Sequence, residues 1–313
     1  MKRVLITGAS GFVGRQCVPL LLTAGYEVHA VGRTKLESDT GVRWHTADLL
    51  DESQLAELMS QVKPTHLLHL AWYSVPGKFW SSLENLRWLQ ASLALIRTFA
   101  MCGGERVVAA GSCAEYSWMD EAILSERSTR LSPATLYGAC KHALHLVLEA
   151  LASQTNLSVA WGRVFFLYGP HEHPDRLTAS VIRSLLRGEP ARCSEGRQVR
   201  DFLYVQDAAA ALVQLLRSEV SGPVNIASGQ GVAVKDLVSK IADLIGRGDL
   251  LRLGERTVKT DEPPMLVADV KRLREEVGFQ PEHSLDTGLR LAIQWWESNF
   301  EQSGLERSNA IDN

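Results

Sequence analysis

The segment that most constrains the fold is TGASGFVG at residues 7–14, where Gly8, Gly11 and Gly14 have the spacing GxxGxxG. The apolar run RVLIT precedes it and a helical pattern follows it, so the glycines lie between a predicted strand and a predicted helix. Glycine allows the backbone to approach a diphosphate closely, and the start of a helix offers unpaired N–H groups. This context predicts a dinucleotide-binding loop, and a plain glycine-rich turn is the alternative.

Apolar runs of strand length alternate with helical patterns through the first half of the chain. The predicted strands there include RVLIT, EVHAVG, THLLHLAW, ERVVAAG and SVAWGRVFF. Such alternation predicts βαβ units, and right-handed crossovers then give a doubly wound parallel sheet. The second half is less regular. We therefore expect an α/β fold with one domain at residues 1–165 and a smaller, carboxyl-terminal one at residues 166–313, some of whose elements return to the sheet.

The composition is that of an ordinary globular protein. The 313 residues are 45% hydrophobic and carry a formal net charge of -3, which gives no bulk attraction to nucleic acid or to an anionic membrane. The five cysteines are scattered without a CxxC pair, as is typical of reduced thiols. No apolar run approaches the roughly 20 residues that span a bilayer, and the first residues are unlike a signal peptide. We expect a cytoplasmic protein without nucleic-acid or membrane partners.

The residues after the second and third predicted strands bear on the choice of dinucleotide. Arg33 follows Gly32 at the end of the second strand, with Lys35 close by, where an acidic residue would select NAD. A guanidinium suits the 2′-phosphate of NADP, so the sequence favours NADP(H) over NAD(H), with a solvated basic pair as the alternative. Asp48 follows the third strand, where its carboxylate can accept from an adenine amino group; a surface aspartate is the alternative.

Three residues form a candidate catalytic set. Tyr137 and Lys141 are four residues apart in a predicted helix, so their side chains share one face. A nearby ammonium lowers the pKa of a phenol, which would let the pair exchange a proton with a substrate oxygen near neutral pH. Ser112 lies at the carboxyl end of a predicted parallel strand, where doubly wound folds bind their ligands. Its hydroxyl can polarise the same oxygen; a turn residue is the alternative.

Taken together, these motifs resemble the extended short-chain dehydrogenase/reductases, in the NAD(P)-dependent epimerase/dehydratase branch that acts on nucleotide sugars. The resemblance extends to about residue 300. In chain order it rests on TGASGFVG, the Asp48 loop, HLAW (69–72), Ser112, Tyr137-x-x-x-Lys141, GRVFFLYGP (162–170) and VRDFLYVQD (199–207). It implies a Rossmann domain for the cofactor, a smaller domain for a nucleotide sugar, and a homodimer.

The resemblance also implies roles for individual residues. Ser112, Tyr137 and Lys141 would form the catalytic triad. Substrate contacts would come from Arg200, at the place where the family binds the diphosphate, and from Phe166 and Trp72. The implied cofactor contacts are Gly8, Ser10, Gly11, Phe12, Val13, Gly14, Arg33, Asp48, Leu49, Ala71, Tyr137 and Lys141.

The chain departs from this family pattern in three places. Sugar dehydratases carry an Asp-Glu pair directly after the strand-end hydroxyl residue, whereas this chain has Cys113 and Ala114, and Glu115 is offset by one position. Loss of water needs a positioned acid and base, so 4,6-dehydration is disfavoured. Phe166 replaces a frequent asparagine, and Trp88 stands where many members have another asparagine, so we expect a more apolar pocket.

Several histidines could suggest a metal site. His171 and His173 are close together in the segment HEHP, but two histidines without a third convergent ligand make a weak site. His142 and His145 follow the candidate catalytic lysine on its helix, where helix-surface or packing roles are expected. We therefore predict no metal.

The leading prediction is an NADP(H)-dependent reductase of a nucleotide-linked 4-keto sugar, of the 4-keto-6-deoxyhexose type. Hydride would be transferred to C4 of the sugar while Tyr137 donates a proton to the oxygen, Ser112 orients the carbonyl and Lys141 holds the nicotinamide ribose. The alternative is a nucleotide-hexose 4-epimerase that retains NAD and uses the same triad. A third hypothesis, a non-catalytic NADP-binding sensor, would have no need of a proton-transfer set.

Overall fold

The fold is described from a computed structural model, which describes residues 2–34, 41–118, 123–257 and 262–309, with side chains up to residue 300. Lys35, which the sequence placed near Arg33, lies outside the described residues. In chain order the strands are β1 (Arg3–Thr7), β2 (Glu27–Gly32), β3 (Arg43–Thr46), β4 (His66–His69), β5 (Arg106–Ser112), β6 (Ile123–Leu124), β7 (Ser158–Val164), β8 (Phe166–Tyr168), β9 (Ala191–Arg192), β10 (Val199–Tyr204), β11 (Gly222–Ile226), β12 (Gly231–Ala233), β13 (Leu251–Arg252) and β14 (Met265–Ala268).

The helices connect these strands, and short 3-10 turns lie at Cys113–Glu115 and Gly248–Leu250. In chain order the α-helices are α1 (Gly14–Thr23), α2 (Glu52–Val62), α3 (Glu84–Met101), α4 (Leu136–Gln154), α5 (Leu177–Leu186), α6 (Val205–Arg217), α7 (Val234–Ile245), α8 (Lys271–Glu275) and α9 (Leu285–Asn309). Within the described residues, none of the helices is both long and apolar enough to cross a membrane.

The main sheet has seven strands in the order β11-β7-β5-β4-β1-β2-β3, and every pairing in it is parallel. The chain runs outward from β1 to β3 and then returns to β4 on the other side of β1. The strand order therefore reverses between β1 and β4, and ligands of such sheets bind at the carboxyl ends of the strands beside this reversal. This topology confirms the predicted doubly wound α/β fold.

A second, mixed sheet lies beside the main one. Its strand order is β12-β10-β14-β6, with β8 also paired to β10, and β12 runs antiparallel to β10. Strand β6 comes from the first half of the chain, whereas β11 of the main sheet comes from the second half. The two sheets thus exchange strands across residue 165, and the division of the chain into domains there stays a prediction.

Alternation of side chains along the strands places the core on both faces of the main sheet. On β1, Val4 and Ile6 belong to one buried cluster, and Leu5 belongs to a second cluster on the opposite face. A third cluster packs between α5, α7 and α9 around Ile182 and Leu237. Since both faces are covered by helices, the polar strand ends are left as the place for a binding site.

The predicted strand SVAWGRVFF is divided in the structure. Strand β7 ends at Val164, and Phe166 begins β8, which pairs with β10 of the second sheet. The Phe165 N–H donates to the Ile226 carbonyl at 3.2 Å, so the chain leaves the main sheet at this residue. This change of sheet places Phe166 opposite Phe202 of β10, beside the carboxyl edge of the main sheet.

Candidate active site

The glycine loop forms a close turn at the end of β1. Gly8 has φ +70°, and a Cβ there would lie 2.9 Å from the Ala71 nitrogen. A Cβ on Gly14 would lie 2.0 Å from the Gly8 carbonyl oxygen, and the Gly11 N–H donates to that same oxygen at 2.9 Å. Side chains are excluded at Gly8 and Gly14, which leaves a backbone cradle at the start of α1. Such a cradle fits a dinucleotide diphosphate.

Thr7 ties this loop to the end of β4. Its hydroxyl accepts from the N–H groups of Leu70 and Ala71 at 3.1 Å each and shares a 2.8 Å hydrogen bond with His69 Nδ1. His69 Nε2 lies 2.9 Å from the Ser92 hydroxyl of α3. Burial lowers the pKa of His69 to about 3, with the Lys141 charge as a smaller cause. A neutral, fully bonded imidazole thus forms a rigid floor under the loop.

The other predicted cofactor residues surround this loop and the ends of β2 and β3. Arg33 is exposed after β2, and Ser10 is exposed in the loop itself. Asp48 is half-buried, with its Oδ1 accepting from the Leu50 N–H at 3.0 Å, and Leu49 is buried. Phe12 and Val13 are half-buried against the first core cluster. The roles predicted for these residues stay predictions.

The structure brings Ser112, Tyr137 and Lys141 together at the carboxyl end of β5. Lys141 Nζ donates to the Ala110 carbonyl at 2.8 Å and lies 3.9 Å from the centre of the Trp72 ring. Tyr137 lies in the first turn of α4, and the Thr135 hydroxyl caps this helix by accepting from the Gly138 N–H. A side-chain hydrogen bond with Ser112 lowers the pKa of Tyr137, so the serine hydroxyl lies next to the phenol.

Burial dominates the electrostatics of this trio. It raises the pKa of Tyr137 to about 12, against a lowering by the Ser112 hydroxyl. It lowers the pKa of Lys141 to about 7, against a raising by the Glu115 carboxylate. The sequence led us to expect that the Lys141 ammonium would lower the tyrosine pKa. Desolvation of the phenol is instead the largest cause of its shift, and Lys141 donates to a strand carbonyl.

The aromatic wall beside Tyr137 is held by an asparagine that the sequence analysis missed. Asn85 is completely buried, and its Oδ1 accepts from Trp72 Nε1 at 2.9 Å. Its amide donates to the Phe79 carbonyl at 2.7 Å, and the Phe79 ring meets Tyr137 edge to face at 4.9 Å. Trp88 lies one turn further along α3, partly buried against the second core cluster. The sequence could have indicated Asn85, because it is a polar residue on the apolar face of a predicted helix.

Arg200 and Phe166 lie together on neighbouring strands β10 and β8. Arg200 is buried, donates to Glu262 Oε1 at 2.7 Å and to the Val199 carbonyl at 2.8 Å, and lies 5.6 Å from the Phe166 ring centre. The same guanidinium lowers the pKa of the Cys113 thiol, although burial dominates and raises it to about 12. Cys113 is thus a neutral thiol between Ser112 and Arg200, and the predicted phosphate contact of Arg200 stays a prediction.

The surroundings of Glu115 were not visible from its position in the sequence. Glu115 has no exposed surface, and its carboxylate accepts from the Ser112 N–H at 2.7 Å, from Trp161 Nε1 at 2.9 Å and from Arg163 Nε at 3.0 Å. Arg163 has no exposed surface either. The carboxylate therefore belongs to a buried ion pair below the strand end and does not face the substrate side as a free acid.

Glu115, His142 and His145 place three possible ligand atoms within 4.8 Å of one another. However, Arg163 donates to Glu115, and its NH2 lies 3.4 Å from His145 Nδ1. A bound cation would face this buried guanidinium, so the cluster is better described as an ion pair with two packed imidazoles. His145 stacks on Trp161 with 5.3 Å between ring centres, in line with the packing role expected from sequence.

The loop 169–176 after β8 closes the other side of the site. His171 has φ +66°, and its Nδ1 lies 2.6 Å from Arg15, whose guanidinium also donates to the Ser10 carbonyl. Glu172 is buried, and one of its carboxylate oxygens, Oε2, has no hydrogen-bond partner. Burial raises the pKa of Glu172 to about 8, and Arg176 opposes this effect. Arg176 also lowers the pKa of Tyr137, which places this loop near the phenol.

The sequence model of the NAD dependent epimerase/dehydratase family matches residues 4–227, which is more than half of the chain. The chain belongs to this family. The matched residues include the glycine loop, the candidate catalytic trio and strand β11. The resemblance inferred from the motifs is thereby confirmed at the level of the family.

The chain is also similar to several individual proteins. UDP-glucuronic acid decarboxylase 1 of Xenopus tropicalis is 26% identical, with 96% of this chain and 73% of the relative covered. UDP-glucuronate 4-epimerase 1 of Arabidopsis thaliana is 26% identical over 95% of this chain and 77% of the relative. A solved structure of MoeE5 in complex with UDP-glucuronic acid and NAD is 31% identical, covers 95% of this chain and 99% of that chain, and has a TM-score of 0.83.

Proposed function

We propose that the chain is an NAD-dependent 4-epimerase of a nucleoside-diphosphate hexose. The observation that carries this proposal is the convergence of Ser112, Tyr137 and Lys141 at the end of β5, beside the glycine cradle after β1. The comparisons support the choice of chemistry, since a 31% identical relative binds NAD with UDP-glucuronic acid and another relative is a UDP-glucuronate 4-epimerase. They favour the alternative of the sequence analysis over its leading prediction.

The chain's own residues supply binding and proton transfer. The cradle around Gly8 and Gly14 would hold the cofactor diphosphate, and the nicotinamide supplies hydride acceptance and return when bound. Tyr137 takes the proton of the sugar C4 hydroxyl as that carbon is oxidised, and it returns the proton when the 4-keto group is reduced from the opposite face. The Ser112 hydroxyl donates to the same sugar oxygen, and Lys141 contributes an ammonium beside the phenol.

The raised pKa of Tyr137 shapes this mechanism. With its pKa near 12, the phenol of the free protein is protonated at neutral pH. Proton acceptance therefore requires positive charge close to the phenol, which the Lys141 ammonium and a bound cofactor would supply. Cys113 and Ala114 provide no acid–base pair after Ser112, so these two positions do not supply the groups that elimination of water from the sugar would need.

A second candidate function is reduction of a nucleotide-linked 4-keto-6-deoxy sugar with NADPH. Arg33 favours it, because this exposed guanidinium follows β2, where it can pair with a 2′-phosphate. The two functions use the same trio and differ in whether the cofactor leaves the site oxidised after each turnover.

Measurement of the nucleotide that freshly purified protein releases on denaturation separates the two functions. About one NAD per chain supports the epimerase, whereas little bound nucleotide together with turnover of NADPH on 4-keto sugars supports the reductase. Conversion of UDP-glucose or UDP-glucuronic acid to the C4 epimer, followed by NMR, then tests the reaction itself. Tyr137→Phe should abolish turnover and keep cofactor binding, and Tyr26→Phe, at a buried tyrosine outside the site, serves as the control. Turnover by Tyr137→Phe would overturn the mechanism.

We also expect a second copy of the chain to cover the outer face of α3 and α4. Large apolar side chains are exposed there, at Leu86, Met101, Leu146 and Val147. Exposed apolar patches of this kind mark association surfaces, and this face includes α4, the helix that bears Tyr137. Light scattering should give twice the chain mass for the wild type and the mass of one chain for Val147→Glu; a monomeric wild type would contradict the homodimer.

A further inference from the structure

The buried pair of Glu115 and Arg163 lies directly beneath the proposed catalytic trio. Glu115 belongs to the 3-10 turn Cys113–Glu115, which is closed at both ends, because the Ser112 hydroxyl accepts from the Ala114 N–H and the Glu115 carboxylate accepts from the Ser112 N–H at 2.7 Å. The backbone of Ser112 is therefore held by a bond to a charged acceptor. Such bonds are shorter and stronger than neutral ones.

Gly111 makes room for this arrangement. A Cβ on Gly111 would lie 2.6 Å from Glu115 Oε1 and 2.1 Å from Trp161 Nε1. The carboxylate thus packs against the backbone of β5 between Ser112 and Ala110, and Ala110 is the residue whose carbonyl accepts from Lys141 Nζ. Glu115 is in this way adjacent to the strand segment that carries both Ser112 and the acceptor of Lys141.

Arg163 is itself fixed by long-range contacts. Its NH1 donates to the Tyr116 hydroxyl at 3.2 Å, and that hydroxyl donates to Asn225 Oδ1 at 2.7 Å. Asn225 belongs to β11 and has no exposed surface. The ion pair is therefore anchored across β5, β7 and β11, and neither partner can move without breaking several buried bonds.

We propose that Glu115 is a positioning residue, which holds the backbone of Ser112 and places a fixed negative charge beside Lys141. The proposal rests on the function proposed above for Ser112 and Lys141. Burial alone would favour a neutral Lys141, and the Glu115 charge opposes that effect by raising the lysine pKa. With Arg163 as its partner, Glu115 acts as a fixed charge and takes no proton from the substrate.

Other titratable or charged groups adjoin Lys141 or its helix, and they differ in the charge that they place near Lys141. His69 on β4 is neutral, since burial lowers its pKa to about 3, and the pKa of His145 is lowered to about 3 for the same reason. The remaining neighbours are Cys113 after β5, Arg163 on β7, and Tyr137 and His142 on α4 itself. Among the described residues, Glu115 is the charged group whose effect on the Lys141 pKa is resolved.

A direct titration of the Lys141 ammonium by nitrogen-15 NMR of lysine-labelled full-length protein tests the proposal without substrate or turnover. The Lys141 signal is assigned by its absence in Lys141→Met. In Glu115→Gln its titration midpoint should fall by about one pH unit, as expected for loss of a nearby opposite charge. In Asp207→Asn, which removes another buried carboxylate that bonds His283 away from the trio, the midpoint should stay at the wild-type value.

The double variant Glu115→Gln/Arg163→Gln tests whether the change at Lys141 comes from loss of the Glu115 charge or from leaving Arg163 without its partner. It removes both buried charges, so it should fold even if the single variant does not, and its Lys141 midpoint should still be lowered. An unchanged midpoint in either variant that folds would overturn the proposal. Once an activity is known, the basic limb of the kcat/KM profile should move to lower pH in Glu115→Gln. Absence of nucleotide-sugar turnover by the wild type would refute the proposed function but would leave the titration result intact.

Discussion

The segments after β5 and β8 each bury a glutamate, and the surroundings of the two carboxylates differ. Glu115, after β5, accepts from Ser112, Trp161 and Arg163. Glu172, after β8, has an oxygen without a hydrogen-bond partner, and its pKa is raised to about 8. Both carboxylates are buried, so burial alone does not account for the difference between them. The donors that surround a carboxylate decide whether it is a fixed charge or a group that titrates near neutral pH.

The largest expected effect tests whether Glu115 is held as a charge. Glu115→Val leaves Arg163 buried and unpaired, which should lower the free energy of unfolding by about 3–5 kcal/mol in urea titrations. The double variant Glu115→Val/Arg163→Met removes both charges and should recover much of this loss. Equal losses in the single and double variants would show that the pair does not act as a unit.

The second prediction concerns Glu172 and the pH dependence of stability. Its folded-state pKa of about 8 lies above its ordinary value of 4.5, so its contribution to stability is complete below about pH 4.5 and is lost as the pH rises through 8. Glu172→Gln cannot ionise and should therefore become more stable than the wild type by about 2–4 kcal/mol at pH 8.5, with a smaller gain at pH 6.

Urea denaturation at the two pH values measures this difference for Glu172→Gln. Glu189→Gln removes a carboxylate from an exposed position and is the matched control. A gain that is the same at both pH values would mean that Glu172 does not titrate in this range, and the contrast between the two strand ends would then fail.

The third prediction tests the space that Gly111 leaves for Glu115. In Gly111→Ala the new methyl group would overlap Trp161 Nε1 and Glu115 Oε1, which should cost about 1–3 kcal/mol of stability. Gly248→Ala is a suitable comparison, because a Cβ there has no heavy atom within 4 Å. Thermal unfolding of both variants measures the difference, and a neutral Gly111→Ala would mean that the ion pair can shift without cost.

The smallest effect on stability is expected at the contact between the glycine loop and loop 169–176. Arg15 is exposed, so Arg15→Ala should change the free energy of unfolding by less than about 1 kcal/mol. Because Arg15 links the Ser10 carbonyl to His171, its loss should weaken NAD binding several-fold in a fluorescence titration. Arg87→Ala on α3 serves as an exposed control. Unchanged binding would show that loop 169–176 does not support the cofactor site.

The parts of the candidate site that were visible in the sequence have local causes. The loop at Gly8 and Gly14 was visible because only residues without a Cβ fit between β1 and α1. The shared helix face of Tyr137 and Lys141 follows from the helical period alone. Ser112 was found as a polar residue directly after an apolar run, at the end of the strand that became β5.

The parts that were missed depend on contacts between distant segments. Trp161 and Arg163 lie 46 and 48 residues beyond Glu115, so the sequence showed Glu115 only as a displaced acid. The single predicted strand at 158–166 became two strands, because Phe166 finds a partner in β10. Burial raises the pKa of Tyr137, whereas the motif suggested a lowering, because desolvation by surrounding aromatic residues is not visible in a motif.

The sequence by itself indicated the alternation of strands and helices in the first half of the chain, the glycine cradle, and the shared helix face of Tyr137 and Lys141. These features depend on backbone sterics and side-chain periodicity within a few residues, so they can be predicted from local sequence. Only the tertiary structure decided which buried groups are charged. The free energy of a charge depends on desolvation and on donors brought together from β5, β7, β11 and α4, and the fold alone creates those surroundings.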